Sequence, residues 1–182
     1  MQVLAVIGSL RTRSSNAALM RAAAAVAPAG TVVTLDESIG DLPHFNPDLD
    51  GEGAIAPPPV AAFRARLAAA DAVVICSPEY AHGVPGALKN ALDWLVSTVE
   101  LIAKPVAIVT GGPGGGEIAA AQLAETLRTM SWQVSVEASA AIKLGRAQFD
   151  PQGEVADDAI RERLRTCMAA LVATIASEAE RG

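Results

Sequence analysis

The strongest constraint on this chain is an alternation. Five short apolar or β-branched runs, VLAVI (3–7), TVVTL (31–35), AVVIC (72–76), PVAIV (105–109) and QVSVE (133–137), are separated by helix-like stretches. Four of the runs are apolar almost throughout, the pattern of strands covered by helices on both faces of a parallel sheet. The fifth alternates, as an edge strand would. Apolar residues recur at helical spacing over 14–27, 59–70, 86–98 and 117–131, and a stripe of Ile160, Leu164, Met168, Leu171 and Ile175 predicts a last helix over 157–179. In a chain of 182 residues this order predicts one α/β domain, 1–182, with a doubly wound sheet. Ligands of such sheets sit outside the C-terminal strand ends, where the strand order reverses. The loops after the first, third and fourth strands are therefore the candidates for a site. Only 36–58, rich in Asp, Gly and Pro, is a long irregular excursion.

Charge narrows the partners. The net charge is -6, which argues against nucleic acid, because phosphate backbones are bound by clustered Lys and Arg. No acidic residue precedes Asp36, whereas Arg11, Arg13 and Arg21 do, so the N-terminal segment is locally positive and suits a small anion. Cys76 and Cys167, with no CxxC and no Cys/His cluster, predict packed thiols rather than a disulfide or a metal site. No apolar run reaches membrane-spanning length and the opening one is too short for a signal peptide, which predicts a soluble cytoplasmic protein with no membrane partner.

GSLRTRSSN (8–16) offers a glycine for a tight turn, hydroxyls from Ser9, Ser14 and Ser15, the Arg11 guanidinium and a helix N-terminus. These can cradle a phosphate, or Ser14 can be an ordinary N-cap with solvated arginines beside it. TGGPGGGE (110–117) lets backbone approach a flat ligand, or is a flexible loop. It is neither a P-loop nor a dinucleotide fingerprint, since the run ends in Gly-Glu and GxGxxG fails in its available registers. SPEYAHGVPG (77–86) presents Glu79, Tyr80 and His82 on a frame stiffened by Pro78 and Pro85, with Gly83 and Gly86 for sharp turns. In a chain only 3% aromatic, its single tyrosine either borders a ring system or covers a strand end.

Together these residues resemble the NADPH-dependent FMN reductase family of the flavodoxin-like superfamily. The pattern G-S-x-R-x-x-S-x-N is met by Gly8, Ser9, Arg11, Ser14 and Asn16, and L-P-x-x-N-x-D-L-D by Leu42, Pro43, Asn46, Asp48, Leu49 and Asp50. S-P-E-Y followed by P-G-x-L-K-N-A-x-D-W is met by Ser77 to Tyr80 and by Pro85, Gly86, Leu88, Lys89, Asn90, Ala91, Asp93 and Trp94. The resemblance implies a flavodoxin-like three-layer α/β/α sandwich around a five-stranded parallel sheet in the order 2-1-3-4-5. It implies FMN as cofactor, its phosphate on Ser9, Arg11, Ser14, Ser15 and Asn16. Pro78, Glu79, Tyr80, Ala81, His82 and Gly83 would line the isoalloxazine, and Thr110, Gly111, Gly112 and Gly115 would close its other side.

NADPH or NADH would deliver hydride to the flavin, which would pass electrons to a small-molecule acceptor such as a quinone, an azo compound, free flavin or a metal oxyanion. No protein nucleophile is required, because the cofactor carries the chemistry. Many relatives have Asn where this chain has Ala81, so an amide contact to flavin or nicotinamide is expected to be missing. Lys89, Asn90, Asp93 and Trp94 are expected to be structural or to lie at a subunit contact, and Asp48 and Asp50 to order turns of a loop beside the site. The resemblance also implies a homodimer or homotetramer. The competing functions are an FMN electron carrier and a redox-sensing interaction protein, neither of which turns over NAD(P)H.

Overall fold

The computed structural model describes residues 1–51 and 53–179. Strands β1 (Gln2–Ile7), β2 (Val32–Asp36), β3 (Ala72–Ser77) and β4 (Pro105–Gly112) alternate with helices α1 (Ser15–Ala25), α2 (Pro58–Ala69), α3 (Gly86–Asp93) and α4 (Glu117–Thr129). Two short strands, β5 (Gln133–Val134) and β6 (Ala140–Lys143), precede the long helix α5 (Asp158–Ala179). The sheet is parallel in the order β2-β1-β3-β4-β5, with β6 also on β4, so the winding direction reverses between β1 and β3.

Strand residues alternate between the two faces of the sheet. Val3, Ala5, Ile7, Val74, Cys76, Ala107 and Val109 pack on the side of α1 and α5. Leu4, Val6, Val73, Ile75, Val106 and Ile108 pack on the side of α2, α3 and α4. Both faces of β1, β3 and β4 are thereby buried, which accounts for their continuous apolar runs. The result is the expected three-layer α/β/α arrangement.

Two elements differ from the sequence reading. The fifth strand position is split. After Val134 the chain leaves the sheet, exposing Val136, and returns at Ala140. In the gap, the Ile108 amide donates to the Ser139 hydroxyl (2.9 Å) instead of to a strand carbonyl. Helix α3 stops at Asp93 rather than 98, because the Trp94 carbonyl is taken by Arg64 of α2, whose Nε lies 2.9 Å away and whose Nη2 also donates to it. The irregular stretch is held to α3: Asn90 Nδ2 and Trp94 Nε1 both donate to Pro43 O (3.0 and 2.8 Å), and Phe45 N donates to Asn90 Oδ1 (2.8 Å). Asn90 and Trp94 are thus structural. The first turn of the 42–50 loop is ordered by Asn46, which accepts from the Asp48 amide, while Asp50 pairs with Arg64 at 2.6 Å.

Candidate functional site

At the C-terminal ends of β1, β3, β4 and β6 the surface opens into a cavity of about 480 Å³. One end is the loop from β1 to α1, where Ser9, Arg11, Ser14, Ser15 and Asn16 border the space. Ser14 is the N-cap of α1, its Oγ accepting from the Ala17 amide at 3.3 Å. That bond uses an oxygen lone pair and leaves the hydroxyl proton free to donate. The amides of Ser15 and Asn16 lie in the first turn, where a helix offers them no acceptor. No acidic residue sits in that turn, so the positive end of the dipole is uncompensated. Arg11 makes no ion pair among the described residues.

Asn16 has a different situation from its neighbours. It is 4% exposed; its Oδ1 accepts from the Cys76 thiol (3.3 Å) and its Nδ2 donates to Gly111 O (3.4 Å). Burial pushes the Cys76 thiol up, which keeps it protonated and a donor. The amide therefore spans the ends of β3 and β4 and sets the distance between the first loop and the glycine run.

Pro78, Glu79 and Tyr80 border the cavity, while Ala81, His82 and Gly83 form the tip of the loop outside its lining. Tyr80 and Gly83 exchange two backbone hydrogen bonds of 2.9 Å, and Ala81 (φ 49°) and His82 (φ 58°) are both left-handed. This is the two-residue turn whose twist suits a tight hairpin. Glu79 Oε2 accepts from the Ala119 amide (2.9 Å) at the start of α4, whose N-cap, Gly116, has no side chain to do so. Gln122 of α4 donates to His82 O (3.0 Å), so the whole loop is fastened to that helix.

The glycines divide into two kinds. A Cβ on Gly111 would lie 2.5 Å from Leu19 Cδ1 and 2.9 Å from Leu144 Cδ1, both buried, so that glycine is required by protein packing. Gly112 and Gly114 border the cavity, and a Cβ on either would meet nothing within 4 Å. Thr110 lies beneath the loop, donating to Gly115 O at 2.8 Å, and Gly115 (φ +89°) makes the turn. A fourth wall, absent from the sequence reading, comes from Leu144, Gly145, Arg146 and Phe149 after β6. As a sequence AAIK (140–143) is three apolar residues and a lysine without alternation, so the buried, exposed, buried, exposed pattern of β6 shows only in the structure. Among the described residues no group of His, Cys, Asp and Glu is placed to hold a metal ion, and no helix is long and apolar enough to cross a membrane.

A parallel sheet in this order, with an anion-suited helix N-terminus and an open glycine loop at its switch point, defines a protein of the flavodoxin-like class. The same fold is seen in flavodoxin 1 from Bacillus cereus (14% identity, TM-score 0.64, covering 94% of this chain and 97% of that one). Residues 1–146 match NADPH-dependent FMN reductase, and the chain belongs to that family. It is 34% identical to an NAD(P)H-dependent FMN reductase of Pseudomonas aeruginosa, over 93% of this chain and 92% of that protein. It is 36% identical to a quinone reductase of Escherichia coli, over 90% and 89%. The flavoenzyme NAD(P)H:(acceptor) oxidoreductase FerB from Paracoccus denitrificans superposes with a TM-score of 0.84 at 30% identity, over 97% of each chain. The protein is accordingly an oxidoreductase.

Proposed function

We propose that this chain is an NAD(P)H-dependent reductase that holds FMN in the switch-point cavity and reduces a small acceptor, a quinone before an azo compound, free flavin or metal oxyanion. The observation that carries it is one cavity with two different ends: Arg11 and an uncompensated helix N-terminus at the first, open space against Gly112 and Gly114 at the second. A phosphate suits the former and a planar ring the latter. The names of the relatives, an FMN reductase and a quinone reductase, support the acceptor class.

Bound there, FMN supplies the hydride acceptance from NAD(P)H and the onward electron transfer. The chain's own residues bind and orient. Ser9, Arg11, Ser14 and Ser15 would hold the phosphate by hydroxyl, guanidinium and amide donors, with Asn16 positioning that loop against β4. Pro78, Glu79 and Tyr80 would border the ring together with Gly112 and Gly114, and the tip turn of Ala81, His82 and Gly83 would hold that loop in shape. Neither cysteine acts as a nucleophile, since burial pushes both thiols up and keeps them protonated. The acceptor enters beside Tyr80, where a largely apolar cavity of about 330 Å³ shares Arg11 and Tyr80 with the first and adds Leu10 and Pro85.

We further read the protein as one cytoplasmic domain acting as a homodimer or homotetramer, with exposed Val96, Val99 and Ile102 offering apolar contact beyond α3. The test of function is an anaerobic absorbance titration of the FMN-loaded protein with NADPH, then NADH, then a quinone. Bleaching by a nucleotide and recovery with quinone are expected. Retained FMN that neither nucleotide bleaches would instead make the protein an electron carrier or redox sensor.

A further inference from the structure

We propose that Arg146 is the second positive charge at the phosphate end of the cavity, and that with Arg11 it selects a flavin bearing a phosphomonoester over an unphosphorylated one. The inference rests on reading the cavity as an FMN site and adds a residue from outside the motifs that suggest that reading.

Position comes first. The Leu144 amide donates to Gly112 O at 2.9 Å, so the chain runs on beside β4 to the sheet edge where the first loop ends. Arg146 then borders the same cavity as Ser9, Arg11, Ser14 and Ser15. Phe149, three residues on, borders both this cavity and an adjoining one that shares Ser14 and Ser15. The 145–149 turn therefore borders the same space as the N-terminus of α1. It is also preorganised: Gly145 N donates to Gln148 Oε1 (2.7 Å), Phe149 N to Arg146 O (3.2 Å) and Ala156 N to Gln148 O (2.8 Å). A charge carried on such a turn is held near its place before a ligand arrives.

Charge comes second. Arg146 makes no ion pair among the described residues; Arg11, Arg13, Arg128 and Arg163 make none either, but of these only Arg11 borders the same cavity as Arg146. The acidic groups nearby are engaged. Asp150 Oδ1 accepts from the amides of Gln152 and Glu154, Glu154 pairs with Arg21 at 2.8 Å, and Glu79 is bound to the Ala119 amide with His82 beside it. Two unpaired guanidiniums on the walls of one cavity repel each other until an anion joins them. A phosphomonoester, with about -1.5 to -2 charges at neutral pH and a second pKa near 6, can satisfy both. Riboflavin offers neither charge nor acceptors there.

The experiment measures flavin-fluorescence quenching by apoprotein, for FMN and riboflavin, in the native chain and in Arg146→Gln, Arg146→Lys and Arg13→Gln, with far-UV circular dichroism to verify folding. At about pH 7.5, Arg146→Gln is expected to weaken FMN roughly tenfold and leave riboflavin within about twofold, Arg146→Lys to recover part of the loss, and Arg13→Gln to change less. At about pH 5, below the second phosphate pKa, the difference between native and Arg146→Gln is expected to shrink. Unchanged FMN affinity in a folded Arg146→Gln, or equal losses for FMN and riboflavin, overturns the assignment of Arg146 alone. A native chain that binds no FMN overturns the cofactor reading and this inference with it.

Discussion

Ala81 occupies a backbone region that disfavours a Cβ, at φ 49° within the Tyr80–Gly83 turn, and His82 follows it at 58°. Asparagine enters the left-handed region more readily than alanine, because its short polar side chain can bond locally. The turn thus gives a conformational reason to expect Asn at this position, separate from any contact to a ring. Ala81→Asn is expected to stabilise the apoprotein by about 0.5–1 kcal/mol and to raise its thermal midpoint by about 1–4 °C. An unmoved midpoint with tighter FMN binding would restore the contact explanation. The glycine run separates in the same way. Gly111→Ala forces a methyl against buried Leu19 and Leu144 and is expected to cost about 1–3 kcal/mol in thermal or urea unfolding. Gly112→Ala meets no protein atom and is expected to leave stability within about 0.5 kcal/mol while weakening FMN. From sequence the two glycines are indistinguishable; only the neighbours across the sheet, Leu19 and Leu144, tell them apart.

At the scale of elements, the strand runs and helix stripes were legible because each is a local periodicity. The split of the fifth strand was not, since QVSVE alternates well and only the side-chain bond from Ile108 to Ser139 reveals where the ladder is interrupted. That gap also hid β6, and with it Arg146 and Phe149. The early stop of α3 has a similar cause, because Leu95 continues the apolar spacing and the competitor for the Trp94 carbonyl, Arg64, is distant in sequence. The three loops, by contrast, could be located from strand order and dense motifs alone.

A further long-range tie joins β2 to α2. Burial raises the Asp36 carboxyl, but hydrogen bonds from Arg66 (2.6 Å) and from the Ser38 hydroxyl and amide outweigh it, holding the group below its ordinary 3.8. Arg66→Ala is expected to cost roughly 1–2 kcal/mol at neutral pH, discounted for the partial exposure of Arg66. A depressed folded pKa stabilises above the unfolded value and ceases to do so as pH falls through the folded one. Urea unfolding of native and Arg66→Ala proteins should therefore differ most above about pH 4 and converge as the solution is acidified below the unfolded carboxylate value near 3.9.

Over the whole molecule, the two apolar layers share one set of strands: Val3, Ala5 and Ile7 serve the α1/α5 side, and Leu4 and Val6 serve the other. Neither layer can lose its strands without exposing the other, which makes the sheet the coupling element and predicts one cooperative transition. The probes to test it are conveniently asymmetric. Trp94 and Trp132 are both buried on the α2/α3/α4 side, whereas the longest helix, α5, lies on the opposite side. Tryptophan fluorescence and far-UV circular dichroism are therefore expected to give coincident urea transitions, and separate midpoints would divide the chain into two folding units. The proposed cavity draws its walls from β1, β3, β4 and β6 together, so saturating FMN should move both probes by the same amount, about 2.7 kcal/mol at a hundredfold excess over its dissociation constant. The same titration at two protein concentrations reads the assembly. If burial of Val96, Val99 and Ile102 between copies contributes to stability, both midpoints rise with concentration, and midpoints independent of concentration would mean that those residues face solvent in a monomer.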